Sequence, residues 1–253
     1  MTMATVASTT VAARKGRAWA RDRLQPFYVA IGSVALGAVA VGFSTTYIGP
    51  MARRDFHAPL IVHIHGFFAL SWIVLFVTQS LLVGRGATKV HMRLGIIGLP
   101  IAVGVLVTGM MVAHWTVVRD LPTRGTAALS AVVGVFTSMF LFLAFASAAL
   151  AMRRKPDWHK RLMLLATLIV WWPAWFRWRH LFTGVPRPDL IFGLLIPDLP
   201  MLIAAVRDQV RYGSVHPVWK FIAPAVFAEQ LFEELASNTE YWPVVGQWLY
   251  QMS

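Results

Sequence analysis

The 253 residues include no cysteine. That excludes a disulfide framework, a thiolate metal site and a CxxCH haem attachment. Any bound metal would have to rest on His, Asp, Glu, Met or backbone ligands. Charge is scarce as well. Asp, Glu, Lys and Arg make up 13% of the chain, about half of the roughly 25% usual in a soluble domain. HExxH, Walker A and GxSxG motifs are missing, so zinc-protease, nucleotide and acyl-hydrolase chemistry lack their residues. A single HxH and scattered histidines do not make the clustered His boxes of a membrane di-iron enzyme. No internal repeat and no second domain is visible.

What the chain has in quantity is hydrocarbon: 57% of residues are hydrophobic and the mean hydropathy is +0.61. A membrane-spanning helix needs about 20 apolar residues. Candidate runs lie at 27–47, 60–83, 94–113, 128–152, 162–176 and 190–206. A seventh, 218–237, is interrupted by Lys220, Glu229, Glu233 and Glu234. The expected fold is all-α, a polytopic membrane bundle of about seven helices over 27–237. A basic tail (1–26) precedes it and an interfacial segment (238–253) follows. The tail lacks the compact apolar core and cleavage site of a signal peptide and reads as cytoplasmic.

The net charge of +12 does not point to nucleic acid, because the basic residues lie between apolar runs and serve topology. With the N-terminus inside, the inner segments hold 16 Lys and Arg and the outer loops hold 7, from Arg53, Arg54, Arg119, Arg124, Arg177, Arg179 and Arg187. That asymmetry predicts an N-in protein of a bacterial inner membrane, crossing several times. "VWWPAWFRW" supplies an aromatic belt at the outer end of the fifth run, and Pro173 is expected to kink it.

On this topology His57, His63, His65, His114 and His180 fall at or near the outer surface, and His91, His159 and His216 at the inner one. His63 and His65 are about 200° apart on a helix and cannot share a face. His65 continues a stripe with Trp72 and Gln79 at intervals of seven, and the adjacent Gly66 would permit close packing. His65 is therefore the inward residue, about 9 Å below the outer edge, and His63 serves the interface. In the sixth run Asp198 sits between Pro197 and Pro200, a broken span that is tolerated where it faces protein or a wet cavity. Asp198 either pairs with Arg177 or Arg179 or acts as a ligand or proton carrier. If the seventh run crosses, Glu229 reaches the same half beside Gln230. His63, His65, His180, Asp198 and Glu229 form the candidate metal set. Gly134 and Ser138, four apart, fit close helix packing.

Two inner phrases, "KVHMRLGIIG" and "DWHKRLMLLAT", place a His at the start of a span with Arg two residues later. His91 with Arg93 and His159 with Arg161 could hold a cofactor between imidazoles, with arginines on its carboxylates. The same residues could simply meet lipid phosphates. His91 and His114, and His159 and His180, bracket the third and fifth runs, 23 and 21 residues apart. That is roughly 32–35 Å of helix, too far for two stacked haems, which need about 20 Å by the same rise. One haem b at one level fits the count.

"HIHGFFALSWIVLFVTQSLLVG", "HMRLG" and "KPDWHKRLMLLATL" resemble a widespread family of uncharacterised bacterial polytopic membrane proteins. The likeness covers about residues 61–168 and, more loosely, the seven-span layout. The motif layout is also distantly similar to transmembrane b-type cytochromes, which implies His65, His91, His114 and His159 as ligand positions. The acidic "AEQLFEEL" departs from the apolar last span expected there. The leading expectation is a redox, haem- or metal-binding membrane protein with a His/carboxylate site near the outer face. The alternatives are a non-enzymatic subunit bound to membrane partners and a proton-coupled transporter with Asp198 at its site.

Overall fold

A computed structural model describes residues 26–252, so the basic tail lies outside the described residues. Every regular element in that range is helical. Eight helices follow one another: α1 (Pro26–Ala52), α2 (Leu60–Gly84), α3 (Thr88–Arg124), α4 (Ala127–Ala151), α5 (Pro156–Phe176), α6 (Pro188–Tyr212), α7 (Val218–Ile222 running into Ala223–Ala236) and α8 (Trp242–Gln251). The connections are short, which makes sequential helices antiparallel neighbours. One end of the bundle therefore gathers the starts of α1, α3, α5 and α7, here the near end. The far end gathers the starts of α2, α4, α6 and α8.

α1, α2, α3, α4 and α6 are each long and apolar enough to cross a membrane. Their outward faces carry Phe67, Leu70, Val107, Phe140, Leu202 and Val210, all exposed. An apolar surface this extensive is unusual for a water-soluble monomer and fits contact with lipid. α5 is different. Asp157, Lys160 and Arg161 lie in its first two turns, yet it is the most enclosed helix, in contact with α1, α2, α4, α6 and α7. Leu164, Leu165, Ala166 and Ile169 are fully buried at its middle.

The long helices overlap the apolar runs, but α5 starts at Pro156 rather than 162, α6 ends at Tyr212 rather than 206, α1 ends at Ala52 rather than 47, and α3 departs most. The third run, 94–113, is the middle of a longer helix, because polar residues such as Thr116 and Asp120 continue it to Arg124. Its start, Thr88–Leu94, is separated by a 3₁₀ turn at Gly95–Ile97 and packs on α2. His114 is therefore inside the helix rather than at its end.

Three stretches widen into π-helix: Ser44–Ile48, Ile191–Leu195 and Val218–Ile222. Each ends two residues before a proline, Pro50, Pro197 and Pro224. Proline has no N–H and its ring collides with the carbonyl four residues back. A π turn bonds i to i+5 and skips one partner, which lets the helix pass the proline without ending.

Gly66 does not serve the packing expected of it, since a Cβ there would meet nothing within 4 Å. The close approach of α2 and α3 comes from α3. A Cβ at Gly104 would lie 2.4 Å from the Phe68 ring, and one at Gly109 would lie 3.3 Å from His65 Cε1.

Candidate functional site

Polar side chains collect at two levels of the bundle. At the far-end level, Asp198 of α6 is buried, and the backbone beside it is pinned by Trp171, whose Nε1 donates to the Pro197 carbonyl at 2.9 Å. With its nitrogen turned toward Asp198, the Gln230 amide of α7 donates to Oδ2 at 2.6 Å and Oδ1 at 3.3 Å. Glu229, next to Gln230, feels the Asp198 charge and lies within hydrogen-bonding reach of Glu233, one turn on. Thr137 of α4 donates to Glu233 Oε1 at 2.6 Å. Gly134 makes room for that carboxyl, since a Cβ there would stand 3.3 Å from Glu233 Oε2. Gly134 thus seats a side chain, and Ser138 accepts from Trp172 Nε1 at 3.3 Å. A second carboxyl pair lies further out on the same two helices, α6 and α7. Glu234 is within hydrogen-bonding reach of Asp189, and Arg187 contacts Asp189 at 2.9 Å and Glu234 at 3.6 Å.

Two helices, α6 and α7, therefore present five carboxyls in two groups, Asp198 with Glu229 and Glu233 inside, and Asp189 with Glu234 beside the exposed Arg187. Two carboxyls in hydrogen-bonding contact, as at Glu229 and Glu233, need a proton between them. Such a cluster can hold protons and pass them along.

The remaining members of the proposed metal set lie elsewhere. His63 Nδ1 is 2.6 Å from the Tyr47 hydroxyl and its ring packs edge-on to Phe56. His65 Nδ1 is 3.0 Å from Thr108 Oγ1, whose own proton goes to the Gly104 carbonyl at 2.6 Å. His65 Nδ1 is thus the donor and Nε2 keeps its lone pair. His180 is exposed, and burial followed by the neighbouring Arg179 lowers its pKa. His114 stacks on Tyr250 of α8. Among the described residues no three His, Asp or Glu are grouped so as to hold a metal ion. Arg177 and Arg179 do not turn to Asp198. They donate to the Pro173 and Phe176 carbonyls, and Arg177 lies over the Phe43 ring.

At the near-end level, His91 and His159 lie edge to face with ring centres 6.2 Å apart. Arg93 is exposed. Arg161 is fully buried, and its Nε and Nη2 donate to the two Asp208 oxygens at 2.8 Å each. Its third contact is the Asp157 carbonyl at 2.9 Å. The carboxylate that Arg161 holds is therefore the chain's own. His216, in the buried link between α6 and α7, has Nε2 3.5 Å from Asp157 Oδ2. Burial, and next the Arg161 cation, push this imidazole down to about 4 against the pull of Asp157.

Gln230, Glu233, Thr137 and Asp208 went unassigned in the sequence reading. The Glu229–Glu233 spacing of four was a visible signal, since it puts both on one helix face. Comparison with family models, curated proteins and solved structures gives no match.

Proposed function

We propose that the protein is a proton-coupled membrane transporter of a bacterial inner membrane, and that Asp198, Glu229 and Glu233 carry its proton. The observation behind this reading is the carboxyl cluster of Asp198, Glu229 and Glu233, joined by Gln230 and Thr137, with a second pair, Asp189 and Glu234, beside Arg187 further out. Ionisable groups at membrane depth are costly and mark ion or proton paths. In this reading α5 and α7 complete seven spans, with the N-terminus cytoplasmic. The 21 residues of α5 rise about 30 Å, one hydrocarbon thickness. The far end is then external. The nine residues from Asp189 to Asp198 span about 13 Å of depth, in a helix that carries Pro197 and Pro200 past a π turn without ending.

The test is the infrared carboxyl band that only protonated Asp and Glu show, followed through a pH titration of the purified protein. The wild type is expected to show a titrating band that Glu233→Gln removes and Asp198→Asn alters. A band absent at every pH, or unchanged in both variants, defeats the reading.

A further inference from the structure

Four segments meet at the near end around the His91–His159 pair: the last turns of α2 and α4, the opening piece of α3 and the first turns of α5. His159 Nδ1 lies 2.8 Å from the Ala149 carbonyl. A carbonyl only accepts, so Nδ1 carries the proton and Nε2 keeps a free lone pair. This back-bonding to a main-chain carbonyl fixes tautomer and ring orientation as it does for metal-ligating histidines. Gln79 is fixed in the same manner, its Nε2 donating to the His91 carbonyl at 3.1 Å. That leaves Gln79 Oε1 buried, and His91 Nδ1 is buried too; neither has a hydrogen-bond partner among the described residues. Buried polar atoms are nearly always satisfied. Here the two orphans belong to Gln79 and His91, which touch each other, and the His91 ring packs against the His159 ring.

We infer that His91, His159 and Gln79 form a binding site for one borderline transition-metal ion of the zinc and copper class. Two nitrogens and an amide oxygen, with no thiolate in the chain, are a ligand set for such an ion. Imidazoles that share one tetrahedral ion at about 2.0–2.1 Å per bond have ring centres about 5 Å apart, so the observed 6.2 Å would close by about 1 Å on binding. The ring torsion of histidine is broad, so a turn of His91 suffices to aim Nδ1 at the ion. Three protein ligands leave a fourth position for water or an exchanging group, the form of an open site. The site lies at the opposite end from the carboxyl cluster and does not depend on it.

The experiment uses untagged, chelator-stripped protein in mild detergent. Zn²⁺ alone is titrated in and bound metal is counted by elemental analysis. Cu²⁺ is then added in a parallel sample and read by electron paramagnetic resonance. The expected result is one Zn²⁺ per chain and a Cu²⁺ signal split by two imidazole nitrogens. His91→Gln and His159→Gln should each weaken binding at least tenfold, while His180→Gln, a change at an exposed site, leaves it intact. The nitrogen splitting is measured on the wild type, so the outcome stands even if a variant misfolds. Absence of saturable binding would leave the two orphans to an ordered water and overturn the inference. Metal binding that survives both inner substitutions, or disappears with His180→Gln, overturns it as well.

Discussion

Arg161 and Asp208 are the most consequential ion pair at the near end. Their side chains are 0% and 2% exposed, and they lie 2.8 Å apart in a two-pronged contact. Removing one partner of such a pair strands a buried charge, which costs about 3–5 kcal/mol. Asp208→Ala should therefore lower the unfolding temperature in detergent sharply. The double change Arg161→Met with Asp208→Leu should recover much of the loss, because well-packed hydrophobic replacements of buried pairs are often neutral. Equal losses in the single and double variants would show that the ion pair itself holds α5 to α6. His216 gives a pH signature at the same end. Folded, it takes a proton only near pH 4, whereas an unfolded imidazole does so near 6.5. The unfolded state then binds more protons between those values, so stability falls as pH drops from about 6.5 to 4. Thermal unfolding across that window should show a shallower fall in His216→Gln than in the wild type. Parallel curves would contradict the assignment.

At the scale of the helix, glycine decides how closely neighbours approach. A Cβ on Gly42 of α1 would sit 2.1 Å from the Ala174 carbonyl oxygen of α5, and one on Gly246 of α8 would sit 2.1 Å from the Leu129 carbonyl oxygen of α4. Neither neighbour is a flexible side-chain tip, so the helices must part. Gly42→Ala and Gly246→Ala should each destabilise by about 1–3 kcal/mol, the usual range for overpacking. Gly37→Ala, at a position with open space around it, should be neutral or mildly stabilising. Thermal melts of the three variants separate the cases, and a harmless Gly42→Ala would refute the tight α1–α5 contact. Element positions were largely readable from the chain. The runs 60–83 and 128–152 differ by a residue from Leu60–Gly84 and Ala127–Ala151, because a span must be apolar throughout. The ends of α3 were not readable, since polar residues extend a helix without an apolar signal. The π turns follow from Pro50, Pro197 and Pro224, but only once the helices are known to continue through them.

For the whole molecule, sequence shows which residues are unusual and not which ones meet. Asp198 and Glu229 stood out as charges in apolar runs. Thr137 did not, because its partner Glu233 is 96 positions away. Asp208 did not either, because its partner Arg161 lies 47 positions earlier. The seven-span, N-in arrangement makes a prediction that the lack of cysteine renders simple to check. Arg154→Cys and Asn238→Cys each introduce a single thiol at an exposed loop position. A membrane-impermeant maleimide applied to intact cells should label Asn238→Cys and spare Arg154→Cys. Labelling of Arg154→Cys, or silence at Asn238→Cys, would overturn the topology.

On the proposed proton-transport reading, function at this scale reduces to whether protons enter through the carboxyl cluster. Proteoliposomes loaded with a pH-sensitive dye and polarised with potassium and valinomycin report this directly. Wild-type vesicles should acidify well above empty ones, and Asp198→Asn and Glu233→Gln should each cut the rate at least tenfold. Gly37→Ala, remote from the cluster, should leave it unchanged. Proton entry no faster than in empty vesicles, or equal rates in wild type and Asp198→Asn, would contradict the proton-transport account.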